Sequence, residues 1–124
     1  MKLRYYETLY IVNPDYEGER LKKVQQDVDA WVTKRGASII NSYVWGKRKL
    51  AYPVDKHKYG TYILLQYGTE TPAISELNNW MELNEAILAY LTIHLKEKPE
   101  PKNVDESTDS YAVADGAKES QPKG

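Results

Sequence analysis

Ala37-Ser-Ile-Ile-Asn-Ser-Tyr-Val-Trp45-Gly-Lys-Arg-Lys-Leu-Ala-Tyr52-Pro-Val-Asp-Lys-His-Lys-Tyr59-Gly-Thr-Tyr-Ile-Leu-Leu-Gln-Tyr67 decides the fold, because it reads as two successive strands with no helix between them. Ala37 to Tyr52 is rich in β-branched and aromatic residues, Pro53 and a polar loop from Asp55 to Lys58 interrupt it, and Tyr59 to Tyr67 resumes the pattern. On the N-terminal side, Leu21, Val24, Val28, Trp31 and Val32 recur at helical spacing up to Gly36, which sits where a C-terminal cap belongs. Before that helix, Leu3 to Val12 reads as a strand stopped by Asn13-Pro14-Asp15. On the C-terminal side, Gly68 to Pro72 carries a helix-start signal, with Thr71 as N-cap and Pro72 as first helical residue. Ile74, Leu77 and Met81 then share one face of a second helix with Trp80 beside it. Ile87 to Leu95 alternates with the two-residue period of a strand that has one fully apolar face. The order is β-α-β-β-α-β. Two right-handed crossovers in that order predict an α+β, ferredoxin-like fold: a four-stranded antiparallel sheet with both helices on one face.

The 124 residues carry 17 basic and 18 acidic side chains, enough chain for one domain with a core and not for two. Residues 1–95 hold 12 Lys/Arg against 11 Asp/Glu, and residues 96–124 hold 5 against 7, with Tyr111 as their one aromatic. A segment so poor in apolar surface cannot offset its ordering entropy. The folded domain is therefore expected over residues 1–96, with 97–124 a disordered acidic tail that begins at Lys-Glu-Lys-Pro-Glu-Pro.

Helices on one face leave the other face of the sheet uncovered. Yet the first strand is apolar on both sides, with Thr8, Tyr10 and Val12 on one and Leu9 and Ile11 on the other, and Tyr62 and Leu64 oppose Ile63 and Leu65 in the same way. An exposed apolar and tyrosine-rich face marks a binding surface.

Catalytic constellations are missing from the sequence. No Gly-x-Ser-x-Gly and no phosphate-cradling Gly-x-x-x-x-Gly-Lys run occurs, and Glu7, Asp15, Asp55 and Glu85 are scattered without pairing logic. With no cysteine, and with His57 and His94 far apart, neither a metal site nor a cofactor is expected. No apolar run exceeds six residues, Ala86 to Leu91, and the N-terminus leads straight into a strand, so neither a membrane span nor a secretion signal is expected. What stands out is Trp45 to Lys58, where five Lys/Arg meet one Asp in 14 residues. Clustered cations beside aromatic rings suit a phosphate backbone with unstacked bases.

Tyr6-Glu7, Asn13-Pro14, Trp45-Gly46-Lys47-Arg48-Lys49-Leu50-Ala51-Tyr52-Pro53-Val54 and Gly60-Thr61-Tyr62 together resemble the family of small-subunit ribosomal protein number six of bacteria, over roughly residues 4–96. The resemblance implies a non-enzymatic protein of the cytoplasmic ribosome that binds small-subunit ribosomal RNA in its central domain. It also implies a heterodimer with ribosomal protein number eighteen, and neither a membrane nor a small-molecule substrate. The RNA-binding candidates are Lys2, Arg4, Lys47, Arg48, Lys49, Lys56 and Lys58. Arg48 fills the arginine place of the motif, and a guanidinium there can hold a phosphate bidentately while the lysines act as mobile point charges. The partner-binding candidates are Tyr6, Leu9, Ile11, Tyr62 and Tyr90. The chain departs from the family pattern just ahead of the last apolar run, where Leu88-Ala89-Tyr90 stands in place of arginines. An alternative reading is a single-stranded RNA binder resembling the RNA-recognition motif, which shares the element order and is echoed faintly by Lys58-Tyr59-Gly60-Thr61-Tyr62-Ile63.

Overall fold

Residues 2–102 are described by the computed structural model. Strand β1 (Arg4–Val12) ends where the Asn13 side chain accepts the backbone N–H of Asp15 at 2.8 Å, an Asx turn that leads into α1 (Glu19–Thr33). Helix α1 buries Val24, Val28 and Val32, one stripe at helical spacing. It ends with Gly36 at φ 93° and the Ala37 N–H reaching back to the Val32 carbonyl, a closure that needs a residue free to adopt the left-handed region. Strands β2 (Ser38–Val54) and β3 (His57–Thr69) follow as a long hairpin, then α2 (Ile74–Glu82) and β4 (Ile87–Leu95). The sheet order is β2-β3-β1-β4 with every neighbouring pair antiparallel. This is the ferredoxin-like arrangement that the element order requires.

Alternation along β1 sorts the sheet into two faces. Tyr6, Tyr10 and Val12 join Ile63, Leu65 and Tyr67 under Val24, Val28, Leu77 and Met81, and this is the core. Fully burying side chains of this size contributes on the order of 1.5–3 kcal/mol each. Tyr5, Glu7, Leu9 and Ile11 therefore point to the face without helices.

Three local expectations need correction. The second helix begins at Ile74 with Ala73 in the cap position, because the Thr69 hydroxyl accepts the Thr71 N–H at 3.2 Å and turns the chain before Pro72. The polar loop shrinks to a two-residue turn, Asp55 and Lys56, so His57 and Lys58 belong to β3, and Pro53 lies inside β2. Proline is tolerated there because β2 is an edge strand and its ladder is interrupted between Lys49 and Val54. Finally, β4 does not keep one wholly apolar face, because a bulge splits its apolar register: Ile87 lies opposite Val12 in the core, whereas Ala89, Leu91 and Ile93 lie opposite Ile11, Leu9 and Glu7, away from the helices. Leu9 lies opposite Leu91 while Thr8 lies opposite Thr92, their hydroxyls 2.7 Å apart on the helix side.

Where α1 meets β2, the Ser42 hydroxyl donates to the Asp29 carboxylate at 2.9 Å and accepts from the Gln25 amide at 3.1 Å. Burial pushes the Asp29 carboxyl above its ordinary range, and the Ser42 hydrogen bond only partly opposes that. A carboxyl raised on folding penalises the native state fully above its folded pKa, and the penalty fades as pH falls toward the unfolded value near 3.9. Because solvent still reaches the carboxylate, Asp29→Asn should raise stability at pH 7 by only about 0.5 kcal/mol and lose that advantage near pH 4. Paired thermal melts at the two pH values check this; an advantage that grows toward acid would refute it.

Candidate functional site

Strand β1 pairs with β3 only from Thr61 to Thr69, so the remainder of the β2–β3 hairpin leaves the sheet as a two-stranded ribbon. Gly60 makes the exit possible. A Cβ there would run into Ile11 Cγ2, with Leu50 Cδ2 at 3.4 Å, so β1 and the ribbon approach more closely than any side chain allows. At the tip, Asp55 (φ 48°) and Lys56 (φ 69°) both occupy the left-handed region, where a two-residue hairpin turn of this twist favours glycine. Holding a lysine there costs roughly 1 kcal/mol and puts a cation at the outermost point of the ribbon.

The cations divide by position. Lys47, Lys49, Lys56 and Lys58 are all exposed. The Lys47 ammonium lies 3.4 Å from Glu17 Oε2, and both ends of this pair face solvent, so the pair contributes under about 1 kcal/mol and leaves the charge accessible. Arg48 differs. It pairs with Gly60 on the face away from the helices, and its guanidinium carbon lies 5.6 Å from the Trp45 ring centroid. It is also close enough to Tyr62 to oppose the rise that burial imposes on that phenol. Arg48 therefore packs along the sheet rather than projecting with the lysines. Arg4 lies opposite Thr69 while the ribbon begins past Thr61, so Lys2 and Arg4 stand at the other end of β1, roughly 26 Å away at about 3.3 Å per residue. The seven basic candidates form two groups and not one patch.

The partner candidates also divide. Leu9, Ile11 and Tyr62 lie on the open face, Ile11 directly opposite Tyr62. Tyr6 is only 8% exposed, its ring 5.9 Å from that of Tyr67 and 5.0 Å from that of His94, on the helix side. Tyr90 packs against the same core and its hydroxyl donates to Glu82 at 2.8 Å. Strand parity puts both away from the open face. In their place the structure brings Leu91 and Ile93, 63% and 44% exposed, beside Leu9 and Glu7. The alternation in β4 was the signal for them, but alternation alone does not say which parity faces the helices.

Toward the Arg4 end, the open face turns polar. The Asn41 amide donates to Gln66 Oε1 at 2.7 Å, and the Gln66 amide donates to Glu7 Oε1 at 2.7 Å, a line of side chains across β2, β3 and β1. The chain after β4 also reaches this line. Asn41 Nδ2 donates to the Glu100 carbonyl at 2.9 Å, and the Lys102 N–H donates to Asn41 Oδ1 at 2.8 Å. The face expected to be bare is thus covered at one end by the segment that follows β4. Residues 103–124, most of the expected acidic tail, lie outside the described residues.

Among the described residues, no group of three or more His, Cys, Asp or Glu could hold a metal ion, and no helix is long and apolar enough to cross a membrane. An exposed cationic ribbon joined to an apolar sheet face can bind polyanions at one place and a protein surface at the other.

A family model described as ribosomal protein S6 matches residues 5–94. Small ribosomal subunit protein bS6 of Thermosynechococcus vestitus is 38% identical over 114 residues, covering 92% of this chain and 100% of the relative. Its counterpart in Aquifex aeolicus is 35% identical over 102 residues, 82% of this chain and 93% of the relative. The crystal structure of 30S ribosomal protein S6 from Thermotoga maritima superposes with a TM-score of 0.70 at 21% identity, covering 90% of this chain and 98% of that one, and so shares the fold.

Proposed function

The chain belongs to the ribosomal protein S6 family, and from that premise we propose that it is a non-enzymatic, architectural component of the cytoplasmic small ribosomal subunit. In this reading it binds small-subunit ribosomal RNA in the central domain, jointly with ribosomal protein number eighteen. The observation that carries the reading is the separation of two surfaces on one rigid sheet: exposed lysines on the ribbon, and apolar Leu9, Ile11, Leu91 and Ile93 on the open face. Apolar burial against a protein supplies dimer affinity, whereas each phosphate met by a lysine releases counterions and supplies RNA affinity. Neither surface is large in charge, so two proteins presenting a shared cationic surface bind more tightly than either alone.

An RNA-recognition-motif mode has less support. That mode stacks bases on rings of the two central strands, and the open-face positions at the middle of β1 and β3 are Leu9 and Leu64. A tagged copy of the full chain expressed in bacteria should sediment with small ribosomal particles and remain on them through a high-salt wash. Recovery only at the top of the gradient, at every salt concentration, would overturn the proposal.

A further inference from the structure

We propose that Asn41 is a clamp for extended main chain, that residues 96–102 are the strap it holds, and that this strap bounds the partner's seat on the open face. Leu95 pairs with Tyr5 at one edge of the sheet, and Glu100 and Lys102 bond to Asn41 in the strand at the other edge. Crossing from β4 over β1 and β3 to β2 covers three strand spacings, about 14 Å. Five residues reach about 17 Å when extended, so after the bends at Lys96 and Glu97 the segment crosses the sheet with little slack. It passes over the face without helices, because Asn41, Gln66 and Glu7 all point there.

The recognition is of backbone and not of side chains. One amide side chain donates to the carbonyl of Glu100 and accepts from the N–H two residues on, at Lys102, the spacing that an extended chain presents on one side. The second hydrogen of Asn41 Nδ2 goes to Gln66, whose own amide is fixed by the Glu7 carboxylate, so the clamp's orientation is set by two neighbours. Two hydrogen bonds at about 1 kcal/mol each are small beside the stability of a whole domain, so the strap opens locally without unfolding the sheet. With the polar end occupied, the part of the face left to another protein is the apolar half formed by Leu9, Ile11, Leu91 and Ile93. This boundary rests on the proposed reading of that face as a partner's seat; the strap itself does not.

Amide exchange and methyl spectra of the full chain test both. In the wild type the Lys102 amide should exchange at least about tenfold more slowly than in an unstructured chain. In Asn41→Ala and the near-isosteric Asn41→Leu, neither of which offers an acceptor to the Lys102 N–H, that protection should vanish while the Ile63 and Leu65 amides keep theirs, which a general loosening of the fold would not allow. On addition of purified ribosomal protein number eighteen, the Leu91 and Ile93 methyl signals should shift while Lys102 stays protected. A Lys102 amide equally fast in wild type and variants overturns the clamp, and one that loses protection when the partner binds overturns the boundary. If the partner shifts no signal at all, the partner reading fails, and the exchange rates still decide for or against the clamp.

Discussion

Gly60→Ala should destabilise the fold by about 2–3 kcal/mol, a fall in melting temperature of roughly 10–20 °C. The new methyl group meets Ile11 Cγ2 on one side and Leu50 on the other. Ile11 cannot turn away cheaply, since its branched Cβ leaves few rotamers and its neighbours on the sheet are fixed by the β1–β3 register. A double-mutant cycle identifies the cause. Ile11→Ala alone removes packing, but Gly60→Ala should cost much less in the Ile11→Ala background than in the wild type. Equal costs in the two backgrounds would show that the clash is not the mechanism. The effect reaches function because Gly60 lies opposite Arg48 where the ribbon leaves the sheet, so a shifted junction re-aims every lysine beyond it.

The combined replacement of Lys47, Lys49, Lys56 and Lys58 by alanine should weaken association with small-subunit ribosomal RNA on the order of 100-fold at low salt. It should also make the dependence of log affinity on log salt shallower by roughly 0.7 for each phosphate that is no longer neutralised. Thermal stability should move by little more than about 0.5 kcal/mol, because all four side chains are exposed and the Lys47–Glu17 pair is solvated at both ends. Filter binding or fluorescence titration across salt concentrations, with melts of the same preparations, separates charge from folding. An unchanged salt slope would remove the ribbon from the RNA interface. Arg48→Ala should behave differently from the lysine variants, costing stability as well as binding, since its guanidinium stacks near Trp45 on the sheet.

Hydrophobic periodicity determined much of this protein from the sequence alone. The valine stripe at Val24, Val28 and Val32 required a one-sided helix, Gly36 its end, and the strand pair between two helices required the ferredoxin-like order. The basic run from Trp45 to Lys58 was legible for the same reason: charge density along a chain is local information. Tertiary structure alone decided which side of each strand faces the helices. Tyr6 and Tyr90 are aromatic and strand-borne like Tyr62, yet they lie on the helix side, because parity is fixed by which residue of β1 sits opposite which residue of β3 and β4. It also decided that Arg48 folds along the sheet while its neighbours project, and that Lys2 and Arg4 stand far from the ribbon. Above all, it decided that Asn41 meets Glu100 and Lys102 across 59 and 61 positions of sequence. Such pairings carry no periodic signature, because they arise from where the ends of strands come to rest in space and not from the spacing of residues within any one of them.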